Sequence, residues 1–316
     1  MSSSRFLLLI LGPPAIVATS YYLTMPHSLD AIAEATTSRV TAAHAEQSTR
    51  DAQSLEEACR QTASRLAPSL GADCRLLVRA PYVLGGDLPE AALERHLSET
   101  ILPTARALST LYFDRQPDQP IVLLLFSTES SYRQHAEKLD GRERPNYSGY
   151  YQRSDRRIVL NISTGRGTLA HELTHALAHF DFPDMPEWFD EGLASLGEES
   201  EFSDDGLRLT GISNWRLNYI LPELRQNRLR PLQSLIVSGN VRPGYEAVDY
   251  AHARYFCLYL QQRQLLGPYY RKFRARVAGD PSGLETLREL LGADSLDAVD
   301  RDFRAWLIAL APAARR

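Results

Sequence analysis

Cysteine is scarce in this sequence: the 316 residues hold three, Cys59, Cys74 and Cys257, with no Cys-x-x-Cys pair. A structural zinc knuckle built on thiols is thereby excluded. Basic residues are outnumbered by acidic ones, 35 against 39, and they are scattered, leaving a formal charge of −4 and a pI near 6.1. Without a basic face no field exists to hold a phosphate backbone, which excludes nucleic acid as a partner. No internal repeat stands out, and no Cys closely follows the apolar N-terminal run, so lipoprotein attachment has no site there. Of the thiols, Cys59 and Cys74 flank a short segment and can pair in an oxidising compartment, leaving Cys257 buried and inert. The other reading is three unrelated core thiols.

With 44% apolar residues, the chain can bury one large core or two lobes around a cleft. Arg5 precedes the apolar run Phe6–Leu11, and a milder run continues to Leu23. Residues 1–34 therefore read as an export signal or an N-terminal anchor, with membrane attachment through residues 5–24 and a small-residue cleavage pattern at Ala31-Ile32-Ala33. Gly12-Pro13-Pro14 interrupts the span, and a buried core helix is the bland alternative. Residues 35–54, rich in Ala, Thr, Ser and charge, read as a flexible tether.

Beyond it, Leu55–Leu70 has helical spacing and Arg75–Leu84 reads as a strand stopped by Gly85-Gly86. A long amphipathic helix pattern opens at Leu88-Pro89-Glu90 and runs towards Phe113, and Pro120–Phe126 has the continuous apolar character of a strand buried on both faces. A helix pattern covers Ser127–Leu139. Asn146–Tyr151 and Arg157–Ile162, separated by a turn-like segment, predict a hairpin, one strand of which is a candidate edge for an extended peptide. The acidic stretch Glu198-Glu199-Ser200-Glu201 and Asp204-Asp205 reads as a solvated turn rather than a cation site, and from Trp215 onward the patterns are helical. The expected fold class is α+β: a sheet-containing lobe over 55–200 and a helical C-terminal lobe over 201–316.

The chemistry concentrates in His171-Glu172-Leu173-Thr174-His175. Four positions apart on a helix, the two imidazoles project from one face about 6 Å from one another and can share one metal ion. Glu172 falls beside the open coordination position, where a carboxylate can take the proton of a zinc-activated water. Catalytic zinc takes three protein ligands, and Pro186-Glu187-Trp188-Phe189-Asp190-Glu191-Gly192 supplies a candidate third in Glu191. Pro186 can start a second helix, the first can end near Phe182-Pro183, and Gly192 lets the two approach closely. Trp188 is read as a packing residue. Two rivals for the third ligand are His179, whose placement on the same straight helix makes convergence poor, and Asp181, six positions beyond His175. That position resembles the place where metzincin-type zinc enzymes carry a third ligand, a likeness that would require Gly to break the helix where Ala178 stands. Asp190 or Glu198 can orient a ligating imidazole.

HELTH followed at this distance by Trp-x-x-Glu-Gly-x-Ala resembles the gluzincin superfamily of zinc metallopeptidases, in particular its bacterial peptidase MA-like branch. The resemblance covers residues 145 to 200 and leaves the N-terminal third and much of the C-terminal third unmatched by any motif. It implies a zincin-like fold, one catalytic zinc held by His171, His175 and Glu191, and Glu172 as general base. It further implies an oxyanion donor, a Tyr or His on a later helix. In Val248–Leu258 this points to Tyr250 and His252, with Tyr245 in reserve and Tyr255 and Tyr259 packing. The expected function is peptide-bond hydrolysis outside the cytoplasm, in the periplasm or tethered facing it if the source is bacterial, on a peptide or protein substrate. Rival readings are a zinc-bearing, weakly active envelope binding or assembly module, and hydrolysis of a cell-wall amide.

Overall fold

A computed structural model describes residues 28–141 and 148–310, with side chains from residue 47 onward. The apolar run at residues 5–24, and Asn146 and Tyr147 of the expected hairpin, lie outside the described residues. Among the described residues no helix is long and apolar enough to cross a membrane. Helix α1 spans Ser28–Leu70. The expected tether over 35–54 is thus corrected to helix: neither Gly nor Pro occurs between Ser28 and Ala67, and Ala, Glu, Gln and Arg all favour a continuous helix. Residues up to Arg50 form one unit and Asp51–Arg316 a second, compact one, to which everything below belongs.

Arg75–Leu84 is not one strand but the start of a hairpin. β1 (Arg75–Arg79) and β2 (Tyr82–Gly86) pair antiparallel across a turn at Ala80-Pro81, because Pro81 has no N–H to continue a ladder. Glu90–His96 (α2), a π-helical turn at Leu97–Ile101 and Leu102–Leu111 (α3) make the long helical stretch expected after Pro89. β3 (Ile121–Phe126) is buried at every position, and α4 (Glu129–Asp140) follows, capped by the Thr128 hydroxyl. β4 (Gly149–Gln152) and β5 (Arg157–Asn161) form the predicted antiparallel hairpin. The mixed sheet runs β1-β2-β3-β5-β4, with β2, β3 and β5 parallel and β4 on one edge.

Strand alternation divides the core. Val83, Val122, Leu124 and Val159 face Cys59, Ala63 and Leu70 of α1 and Tyr132 and Ala136 of α4. Leu84, Leu123, Leu125, Ile158 and Leu160 face the main core. Into that core β5 delivers helix α5 (Arg166–Asp181), which carries HELTH. Because α5 is walled in by the sheet and by α3, it is buried around most of its circumference rather than along one stripe.

The remaining elements are α6 (Glu187–Leu196), a small β6–β7 hairpin (Ser200–Phe202, Leu209–Gly211), and helices α7 (Leu217–Arg225), α8 (Leu232–Ser238), α9 (Glu246–Gln262), α10 (Leu266–Arg276), α11 (Leu284–Leu291) and α12 (Asp297–Leu310). The chain is α+β, about 60% helical. Trp188 is fully buried against Phe189, Phe256 and Tyr269, as its packing role requires. Each such side chain contributes about 1.5–3 kcal/mol by removal from water. The thiols of Cys59, Cys74 and Cys257 are all free, so the Cys59–Cys74 pairing is not realised; Cys74 lies 3.6 Å from the His135 imidazole instead.

Candidate metal centre

Helix α5 and helix α6 are joined by Phe182–Pro186, and Pro186 immediately precedes α6, so the second helix returns across the first as the spacing predicts. This brings Glu191 opposite His171 and His175. The Nε2 atoms of the two imidazoles lie 3.0 Å apart, with Glu191 Oε2 3.5 Å from the first and Oε1 3.8 Å from the second. Three donors around a tetrahedral zinc, at bonds of about 2.0–2.1 Å, sit about 3.3 Å from one another. One ligand atom from each of the three residues lies within 4.8 Å of the others, a spacing wider than that ideal but close enough for one ion to draw them together.

The other face of each imidazole supports this reading. His175 Nδ1 lies 2.9 Å from Asp190 Oδ1, and His171 Nδ1 lies 3.2 Å from Glu198 Oε1. Both contacts are close but not collinear. A carboxylate beside each Nδ1 favours the proton there, which turns both Nε2 lone pairs towards the same point. Two facing lone pairs repel unless a cation lies between them, so the donor set fits a divalent metal.

Burial alone would lower both imidazoles. With no ion bound, Glu191 and Glu198 nevertheless lift His171 to about 10, and Asp190 with Glu191 lifts His175 to about 9, so an entering cation must displace the Nε2 protons before those lone pairs can bind it. Burial pushes the three carboxyls up, yet His175 holds Asp190 and Glu191, and Arg216 with His171 holds Glu198, below the ordinary carboxylate range. Glu172 behaves in the opposite way: burial raises it and outweighs the neighbouring imidazoles. The centre thus combines carboxylates kept ionised with one carboxyl biased towards holding a proton.

Two glycines permit the approach. A Cβ on Gly192 would meet Cys257 Sγ at 2.7 Å and the Ala253 carbonyl at 2.8 Å, so α6 and α9 touch backbone to backbone directly behind Glu191. A Cβ on Gly167 would meet the Glu198 carbonyl at 2.2 Å, so that glycine admits the segment bearing Glu198 against α5. Gly192→Ala is expected to cost about 1–3 kcal/mol through overpacking, read from denaturant unfolding of the ion-free protein. An unchanged midpoint would contradict the close α6–α9 contact.

Rival ligands fall elsewhere. His179 Nε2 meets Asp190 Oδ2 at 3.1 Å and packs on Tyr151, near the helix end as expected. Asp181 is wholly enclosed by Asp114, Arg115, Tyr270 and Arg274. The oxyanion candidates separate: Tyr250 has its ring 5.6 Å from the Arg216 guanidinium, which itself holds Glu198. His252 does not join the centre. It is fully buried, its ring stacked on Phe303 at 5.7 Å, and burial followed by Arg230 and Arg304 keeps it well below its ordinary range. Its place in the sequence put it two residues from Tyr250, but on a helix that turns it about 200° away. Tyr245 is 52% exposed beside Arg242, while Tyr255 and Tyr259 are buried and bonded through their hydroxyls, as packing residues. Glu198 leaves the solvated turn to which its acidic neighbours assign it, and Arg216 and Asn214, which grip it, carry no signal in the sequence.

A scan against protein-family models gives no match, and a search of the curated proteins gives none either.

Proposed function

We propose that the protein is a zinc metallopeptidase of gluzincin type with a zincin-like fold, hydrolysing peptide bonds outside the cytoplasm. The observation that carries this reading is the convergence of His171 Nε2, His175 Nε2 and a Glu191 carboxylate oxygen, with a second carboxylate beside each imidazole Nδ1. His171, His175 and Glu191 would hold the ion. A zinc ion there supplies a Lewis acid that polarises a carbonyl and brings the pKa of water towards neutrality.

The chain's own groups do the rest. Glu172, next to His171 in sequence and buried, accepts a proton from the attacking water and hands it to the leaving amine; its raised carboxyl suits a group that must both take and release a proton. Asp190 and Glu198 keep the imidazoles oriented. Tyr250 is the candidate donor to the oxyanion. β4, the strand at one edge of the sheet, packs against α5 and is the candidate to receive an extended peptide backbone. Export is supported by Arg5 and the apolar run after it.

The test is a panel of unstructured peptides incubated with zinc-loaded protein. Cleavage is expected, a chelator should stop it, and added zinc should restore it. A zinc-loaded protein that leaves every peptide intact would favour a binding module instead.

A further inference from the structure

Glu198 is gripped more firmly than a surface carboxylate would be. Arg216 Nε donates to its Oε2 at 2.7 Å and Arg216 Nη2 to its Oε1 at 2.5 Å, and Asn214 Nδ2 donates to Oε2 at 3.1 Å. The same Oε1 lies 3.2 Å from His171 Nδ1. All three side chains are largely enclosed: Arg216 is 11% exposed, and Glu198 and His171 are each 12%. A planar guanidinium fork fixes a carboxylate in both position and rotation, which a single point charge does not.

Arg216 is itself held. Its guanidinium lies 4.6 Å from the Trp215 ring centroid and 5.6 Å from that of Tyr250. The segment bearing it is pinned to α9: the Tyr255 hydroxyl accepts from the Asn214 N–H and donates to the Asn214 carbonyl, each at 3.0 Å. Fully buried Arg254 ties the Ile212 carbonyl to the Glu199 carbonyl, at 2.6 Å and 3.2 Å, so the strand ends on either side of the β6–β7 hairpin are locked together. The result is a rigid arm that leads from the core of α9 to the rear of one ligating imidazole.

We infer that Arg216 is a positioning residue of the metal centre: its fork orients Glu198, and Glu198 holds the His171 ring with Nε2 towards the ion. In this role Arg216 acts through Glu198. It also sets a fixed cation against Glu198, which keeps that carboxylate ionised beside the imidazole. His175 takes its orientation from Asp190 on α6 instead, so the two imidazoles are supported from different elements. This inference rests on the zinc reading above.

The test measures zinc affinity by competition with a chromophoric chelator on the full chain, after circular dichroism has established that each variant is folded. Wild type comes first: failure to bind zinc sinks the metallopeptidase reading and this inference with it. Given wild-type binding, Arg216→Gln is expected to weaken affinity about 10–100-fold. Arg216→Lys should recover only part of that loss, because it restores the charge but not the fork. The Arg216→Gln, Glu198→Gln pair should bind no more weakly than Glu198→Gln alone, since both changes break one chain of contacts. Wild-type affinity in Arg216→Gln, or fully additive losses in the pair, would overturn the inference and leave the zinc reading standing. Should Arg216→Gln fail to fold, Arg216→Lys decides alone: a loss of a few-fold supports the inference and wild-type affinity overturns it.

Discussion

Replacing Glu172 by Gln should leave stoichiometric zinc in place and reduce peptide hydrolysis by about 10²–10⁴-fold, the usual contribution of a positioned general base. The expectation rests on geometry: the ligand triangle is built from His171, His175 and Glu191, and Glu172 is not part of it. Gln keeps the volume and much of the hydrogen bonding of Glu at a site only 8% exposed, so the fold should hold. What Gln cannot do is accept a proton and return it. The measurement is steady-state cleavage of a peptide that the wild type hydrolyses, with zinc content determined on the same preparation. Undiminished hydrolysis would remove Glu172 from the mechanism. The result also separates an enzyme from a binding module, because a module that only binds has no use for a base at this position.

The second large effect concerns Asp181, a residue whose spacing from His175 makes it a rival third ligand. Asp181→Ala should destabilise the protein by about 3–5 kcal/mol while the folded fraction retains its zinc. Its Oδ1 accepts from the backbone N–H groups of Asp114 and Arg115 at 2.9 and 2.8 Å, and its Oδ2 from the Tyr270 hydroxyl at 2.9 Å and from the Arg274 guanidinium. Truncation leaves the two backbone N–H groups and the buried Tyr270 hydroxyl without this acceptor and Arg274 with Asp114 as its remaining carboxylate, so a buried, multiply bonded group is lost with nothing to replace it. Denaturant unfolding with a zinc assay on the folded protein checks both halves. Zinc loss with unchanged stability would move the third ligand to Asp181.

Much of this centre can be read from the sequence because local geometry dictates it. The four-residue spacing of His171 and His175 fixes a shared helical face, and Pro186 and Gly192 announce a second helix able to lie close behind the first. The buried strand Ile121–Phe126 and the β4–β5 hairpin are legible for the same reason, as continuous apolar character and as two runs flanking a turn. Where the reading fails, the deciding contact is non-local or the local evidence is balanced. Arg216 lies 45 residues beyond His171 on an irregular segment, and only the path of β6 and β7 returns it to the site. Glu198 sits among acidic neighbours that are solvated, and nothing in its type distinguishes it from them. His252 shares a helix with Tyr250, but which side of α9 faces the centre is set by the packing of Gly192 on Ala253 and Cys257. The segment 35–54 looks like a tether by composition, yet half of its residues are the helix formers Ala, Arg, Glu and Gln and neither Gly nor Pro interrupts them.

Zinc content therefore bears most directly on the account. Wild-type protein and Glu191→Gln, expressed with zinc, dialysed and analysed by mass spectrometry for metal, should show about one ion per chain and nearly none, respectively, with both proteins folded. A wild type that retains no zinc, or a Glu191→Gln variant that retains a full equivalent, would contradict it.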